Sequence, residues 1–214
     1  MRKRLAAVLA AMMVASAISP AVYAEDATAG TTPDNPVEFS YEDIDETVYD
    51  GAWFETGLGF DVYLPEEWEE VDITDEMAEA GLMFMAGEPG GGANIAITAA
   101  EIPAEQADTY DIKQLGEELA GTVTTAMYAD LSGIPAVIFE NEETKVTGFS
   151  TVVAGYIVTG VISAPSDDEY EEYGPHIMNI ITSVSLTPDE DSSAESAESA
   201  ESEESEESEE SEAE

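Results

Sequence analysis

Carboxylates outnumber basic side chains by 49 to 5 in this chain of 214 residues, a formal net charge of −44. Any fold built from it must leave almost every acid in water. An unpaired buried carboxylate is costly, and there are too few cations to pair with. The bases are also unevenly placed: Arg2, Lys3 and Arg4 stand at the N-terminus, and only Lys113 and Lys145 follow. Unassisted nucleic-acid binding is excluded on this balance, because affinity for a polyanion rests on Lys and Arg neutralising phosphates. Anionic lipid surfaces are disfavoured for the same reason. The chain has no Cys and one His, His176, which removes disulfides, thiolate metal sites, cysteine nucleophiles and multi-histidine zinc sites.

Residues 1–24 read as a cleaved export signal. Arg2-Lys3-Arg4 supply the positive start, Leu5 to Ile18 the apolar run, Pro20 the break, and Val22-Tyr23-Ala24 the small-residue cleavage site. As a helix the apolar run reaches about 21 Å, short of the ~30 Å hydrocarbon core. An uncleaved anchor or a plain buried helix are the competing readings. The expectation is a secreted, extracytoplasmic protein with no membrane attachment after cleavage. It is not a lipoprotein, because no Cys follows the cleavage site. Cleavage removes three positive charges and takes the net charge from −44 to −47.

Three zones follow. Residues 25–40 are a linker of small and polar residues. Residues 41–187 hold nearly all the aromatic and aliphatic side chains and form the folded domain. Residues 188–214 are a Ser/Glu-rich acidic tail with a three-residue rhythm and 14 acids from Asp189 onward. Such a stretch has no apolar face to bury and its like charges repel, so it is expected to be disordered and extended.

Within the domain, Phe60, Val62 and Leu64 alternate with Asp61 and Tyr63, which predicts a half-buried strand. Ala52 to Glu55 precedes it, across a hairpin loop Thr56-Gly57-Leu58-Gly59. Leu82–Ala86 and Asn94–Glu101 read as a second strand pair joined by Gly87 to Gly92. Asp111 to Gly121 reads as a helix, with Asp111 as cap and Ile112, Leu115 and Leu119 on one face. Four strands are predicted at Met127–Leu131, Ala136–Glu140, Val146–Val153 and Tyr156–Ala164, the last buried on both faces. A final helical region starts near Ser166, is interrupted at Gly174-Pro175, and carries the stripe Ile177, Ile180, Ile181, Val184. Short connections imply mostly antiparallel pairing, and the two main helices cover the sheet. The fold class is α+β.

The run Leu58-Gly59-Phe60-Asp61-Val62 leading into Leu64-Pro65-Glu66-Glu67-Trp68 resembles the opening of the PsbP-like fold superfamily. The closing Tyr170-Glu171-Glu172-Tyr173 and Ile180-Ile181-Thr182-Ser183-Val184 resemble its terminal helix and short last strand. The resemblance covers residues 50–187 and includes bacterial exported members. It implies an α/β/α sandwich and a non-catalytic binding or adaptor domain, with no catalytic residues to carry over. The missing lipobox Cys and the extreme acidity depart from the pattern.

Candidate sites are few. His176 follows Pro175 at a helix start, with no nucleophile signature beside it. The glycines from Gly87 to Gly92 lack the Lys of a phosphate loop and read as a hairpin loop. Adjacent acids occur by chance at this density, and no EF-hand spacing appears. Trp53, Phe54 and Trp68, near Tyr63 and the first hairpin, are candidate partner contacts if exposed and core if not. Glu203, Glu204, Glu206, Glu207, Glu209 and Glu210 in the tail are diffuse candidates for weak calcium association, against a plain solubilising role. The reading is a monomeric, non-catalytic binding domain without a resident cofactor, whose partner is a protein or a neutral or cationic ligand. The alternatives are a calcium-buffering surface protein acting through the tail, and a hydrolase working through paired carboxylates.

Overall fold

Alternating and continuously apolar stretches supply the longer of eleven strands, seen in a computed structural model that describes residues 30–186 except 108, 165, 167–169, 171 and 172. The segment expected to be an export signal, the start of the expected linker and the acidic tail with its six candidate glutamates lie outside the described residues. The strands are β1 (Val37–Phe39), β2 (Gly51–Glu55), β3 (Phe60–Pro65), β4 (Glu69–Glu70), β5 (Leu82–Gly87), β6 (Asn94–Glu101), β7 (Thr125–Leu131), β8 (Ile134–Asn141), β9 (Val146–Val153), β10 (Tyr156–Ser163) and β11 (Ser185–Leu186). The helices are α1 (Asp75–Glu79), α2 (Ile112–Ala120) and α3 (Gly174–Thr182).

Eight strands form one sheet in the order β1-β7-β8-β9-β10-β6-β5-β4, and three form a second in the order β11-β3-β2. All pairings are antiparallel except β1 on β7. The large sheet is buried on both faces. On β8, Ile134, Ala136 and Ile138 enter one core while Val137 and Phe139 enter the other. The first core lies under the small sheet and α3, and takes Phe60, Val62, Leu64, Ile177, Ile180 and Ile181. The second lies under α2 and takes Leu115 and Leu119. A bulge between Leu82 and Phe84 turns the two residues into different cores, leaving Met83 at the surface.

Local chemistry agrees with this arrangement. Asp111 Oδ1 accepts from Gln114 N at 2.9 Å and caps α2. Pro175 occupies the first turn of α3, where its missing N–H costs nothing. Strand β10 sits between β9 and β6, and Val158 to Ile162 are buried, as its apolar run predicts. Thr98, Thr159 and Ser150 stand side by side across β6, β10 and β9. Their hydroxyls are satisfied inside the core: Ser150 Oγ lies 2.8 Å from Thr159 Oγ1, and Thr98 Oγ1 donates to the Thr159 carbonyl at 3.4 Å.

Residues 37–39, expected in the linker, are a strand. They pair with Ala129 to Leu131 and cover an edge β7 would otherwise leave open. Thr31 Oγ1 extends this by accepting from Tyr128 N at 2.7 Å. A 3-10 turn (Tyr41–Asp43), β4 and α1 are also additions to the expected elements. They span two to five residues, too few to show a period.

Candidate functional site

The first hairpin builds an aromatic surface open to water. Pairing of β2 with β3 sets Trp53 opposite Tyr63 and Glu55 opposite Asp61. Phe60, Val62 and Leu64 point into the core, so Trp53, Glu55, Asp61 and Tyr63 take the outer face. Trp53 is 48% exposed, and Tyr41, equally exposed, meets it edge-on at 6.4 Å. From there a ribbon of rings runs across the small sheet to α3. Trp53 packs on Tyr63 at 5.6 Å, Tyr63 stacks on Tyr49 at 5.6 Å, Tyr49 stacks on His176 at 5.2 Å, and His176 meets Tyr173 at 5.0 Å.

Hydrogen bonds hold the ribbon. Tyr49 Oη donates to the Tyr63 carbonyl at 2.9 Å, and Gly51 N donates to Tyr63 Oη at 3.0 Å. Gly51 has to be glycine, because the Tyr63 ring lies where its Cβ would stand, 2.5 Å from Cε1. Asn179 on α3 accepts from Asp45 N at 2.8 Å and donates to the Asp45 carbonyl at 3.2 Å, tying the loop before β2 to the helix. Burial, with a smaller contribution from Tyr63, raises the Tyr49 phenol above the ordinary tyrosine range. His176 Nδ1 is buried with no hydrogen-bond partner among the described residues.

The structure separates the three candidate contacts. Trp53 is at the surface. Phe54, the next residue along β2, faces the other way and packs edge-on against Phe84 at 6.4 Å. Trp68 is not a surface contact: it is 3% exposed and belongs to the main core. The turn that closes with Trp68 N on the Pro65 carbonyl at 2.9 Å folds it back beneath the sheet. Tyr63 was visible in the alternation of β3. Tyr41, Tyr49 and Tyr173 carry no local signal, since their loops meet the hairpin only in three dimensions.

The site is anionic. Glu55 and Asp61 are directly opposed like charges, and Glu42 and Asp43 follow Tyr41. Like charges directly opposed across a strand pair repel. The two lysines among the described residues are both away from the small sheet: Lys113 lies on α2 and Lys145 in the β8–β9 turn.

Other features offer less chemistry. A cavity of about 70 Å³ is lined by three prolines (Pro33, Pro36, Pro135) with Ile112, Tyr128, Ala129, Ala136 and a single carboxylate, Asp130. Asp130 Oδ1 is engaged by Gly133 N at 2.6 Å in the β7–β8 turn. Among the described residues no three acids or histidines gather as a metal site. Among them too, no helix is long and apolar enough to cross a membrane.

Among solved structures the chain is similar to "Solution Structure of Cyanobacterial PsbP (CyanoP) from Synechocystis sp. PCC 6803", with a TM-score of 0.48 and 16% identity. That likeness covers 64% of this chain and 92% of that one, and concerns fold alone. No protein-family model and no curated protein matches the chain.

Proposed function

We propose that this chain is an exported, non-catalytic binding domain that engages a basic protein through the outer face of the small sheet. One observation carries the reading: Trp53 is half exposed beside Tyr41 among carboxylates, while Phe54 and Trp68 are turned inward. An indole face attracts a Lys or Arg head, and adjacent carboxylates add to that attraction. Trp and Tyr also lose little conformational entropy on binding and recur at the energetic centres of interfaces. The window from Pro36 to Pro188 holds 32 acids and 2 Lys, so its field draws cationic partners and repels anionic ones.

The test is a titration of the full chain with a Lys-rich peptide and a Glu-rich peptide at physiological salt, followed by tryptophan fluorescence and by calorimetry, whose signal does not depend on Trp53. The Lys-rich peptide changes the Trp53 emission and the Glu-rich one does not. Trp53→Ala weakens binding by about tenfold, the scale of an exposed cation–π contact with its packing. Equal binding by Trp53→Ala and the parent would rule this face out.

A further inference from the structure

Resting on that reading, we infer that the free edge of β2 is a strand-docking site. An extended segment of the partner, bearing Lys or Arg at alternate positions, pairs with Trp53 and Glu55 as a fourth strand of the small sheet. The hydrogen-bond parity of the hairpin makes the edge available. Tyr63 N donates to Ser183 Oγ at 2.8 Å and the Tyr63 carbonyl accepts from Tyr49 Oη at 2.9 Å, so both of its backbone groups point away from β2. Trp53, its opposed partner, therefore also points its N–H and C=O away from β3. At the next pair but two, Thr56 N donates to the Phe60 carbonyl at 3.4 Å, which places Glu55 in the outward set with Trp53. The small sheet ends at β2, and among the described residues nothing pairs with these outward groups.

Edges are normally blunted by shortness, Pro, Lys or a bulge. The other terminal strands are short: β1 has three residues, β4 two and β11 two. Strand β2 has five, contains neither Pro nor Lys, and pairs with β3 in unbroken register. The side chains then specify the occupant. Alternate residues of an added strand fall on the outer face, beside the Trp53 ring and the Glu55–Asp61 carboxylates, where basic heads fit. The intervening residues fall beside Ala52 and Phe54, which favours small or apolar ones. A second copy of this chain is a poor occupant, because it brings another −44 and more carboxylates to the same edge. Strand addition with alternating pockets is an established mode of peptide recognition.

The experiment uses the full chain and three ten-residue peptides: alternating Lys and Val, alternating Glu and Val, and the Lys-Val peptide with every backbone nitrogen methylated. Amide hydrogen exchange at Trp53 and Glu55 is measured together with affinity. The Lys-Val peptide slows exchange at both amides at least about tenfold, and methylation lowers its affinity by about tenfold or more, as expected for lost backbone hydrogen bonds. Equal binding of the methylated peptide overturns edge pairing while leaving the cationic-face reading standing. No binding of the Lys-Val peptide at all overturns both. Protection that rises with protein concentration and without peptide assigns the edge to a second copy and also overturns the proposal. Glu55→Pro removes an outward N–H without taking a bond from β3, and Glu55→Gln removes the charge alone. With near-ultraviolet circular dichroism unchanged, Glu55→Pro loses more affinity than Glu55→Gln; equal losses count against the edge.

Discussion

Phe149 lies across the Cα of Gly160, its directly opposed partner on β10, and fills the space a side chain there would take. At Gly148, on the other face of the sheet, a Cβ would meet the Gly160 carbonyl oxygen first and then the Phe139 ring, with Cζ at 2.9 Å. The two glycines let large rings pack flat over the central strands, so each core gains aromatic area without a void. A Gly160→Val variant forces the Phe149 ring off its seat and costs ~1–3 kcal/mol, the usual range for overpacking. Chemical denaturation measures it. Gly174→Ala is the control, because nothing lies within 4 Å of the added carbon. A Gly160→Val loss no larger than the control's would refute the packing argument.

The β9–β10 turn is built from Ala154 at φ 50° and Gly155 at φ 85°. Two successive left-handed residues match the twist of the strands, and Asn is far better suited than Ala to the first of them. Ala154→Asn is expected to stabilise the protein by ~0.5–1 kcal/mol. A thermal melt that shows no gain would mean the turn relaxes away from this geometry.

Alkaline pH should weaken the fold through its tyrosines. Burial raises the phenols of Tyr49 and Tyr110 above the ordinary tyrosine range, and at Tyr110 the Glu118 carboxylate adds to it through a 2.7 Å hydrogen bond. A phenol held neutral in the fold contributes stability that is complete below the unfolded value of about 10 and is lost as pH rises toward the raised one. Denaturation midpoints should therefore fall between pH 9 and 11, and Tyr110→Phe should flatten that fall. An unchanged slope in Tyr110→Phe would assign it to other groups.

Salt should stabilise the protein. The one ion pair among the described residues, Lys113 to Glu117 at 3.9 Å, is exposed and contributes at most a few tenths of a kcal/mol. Repulsion among the acids opposes it over the whole surface. Raising sodium chloride from about 0.01 M to 1 M shortens the screening length from ~30 Å to ~3 Å. The expected result is a melting temperature higher by about 4 °C or more, equivalent to ~1 kcal/mol in a domain of this size. A falling melting temperature would show that specific pairs outweigh the repulsion.

Much of the fold is legible in local pattern. The strands at Phe60, Leu82, Asn94, Val146 and Tyr156 alternate or run apolar, and the helix capped by Asp111 starts and stops where its side chains dictate. The short pieces are not legible. Val37–Phe39 sits in a Pro- and Asp-containing stretch and becomes a strand because β7 offers an open edge. The site is legible in part. Trp53, Phe54 and Trp68 are equally aromatic in the sequence, and only the direction of each side chain decides which one meets solvent.

Composition and periodicity alone determined that this is an anionic α+β chain with an antiparallel sheet and almost no internal ion pairing, because charge and side-chain alternation are properties of single residues and near neighbours. Tertiary structure decided the rest. It stacked Tyr49, Tyr63 and His176 from three separate segments, buried Trp68, and left Trp53 beside an open strand edge. Those outcomes depend on which strand ends a sheet and which face a distant helix covers, and no local pattern encodes either.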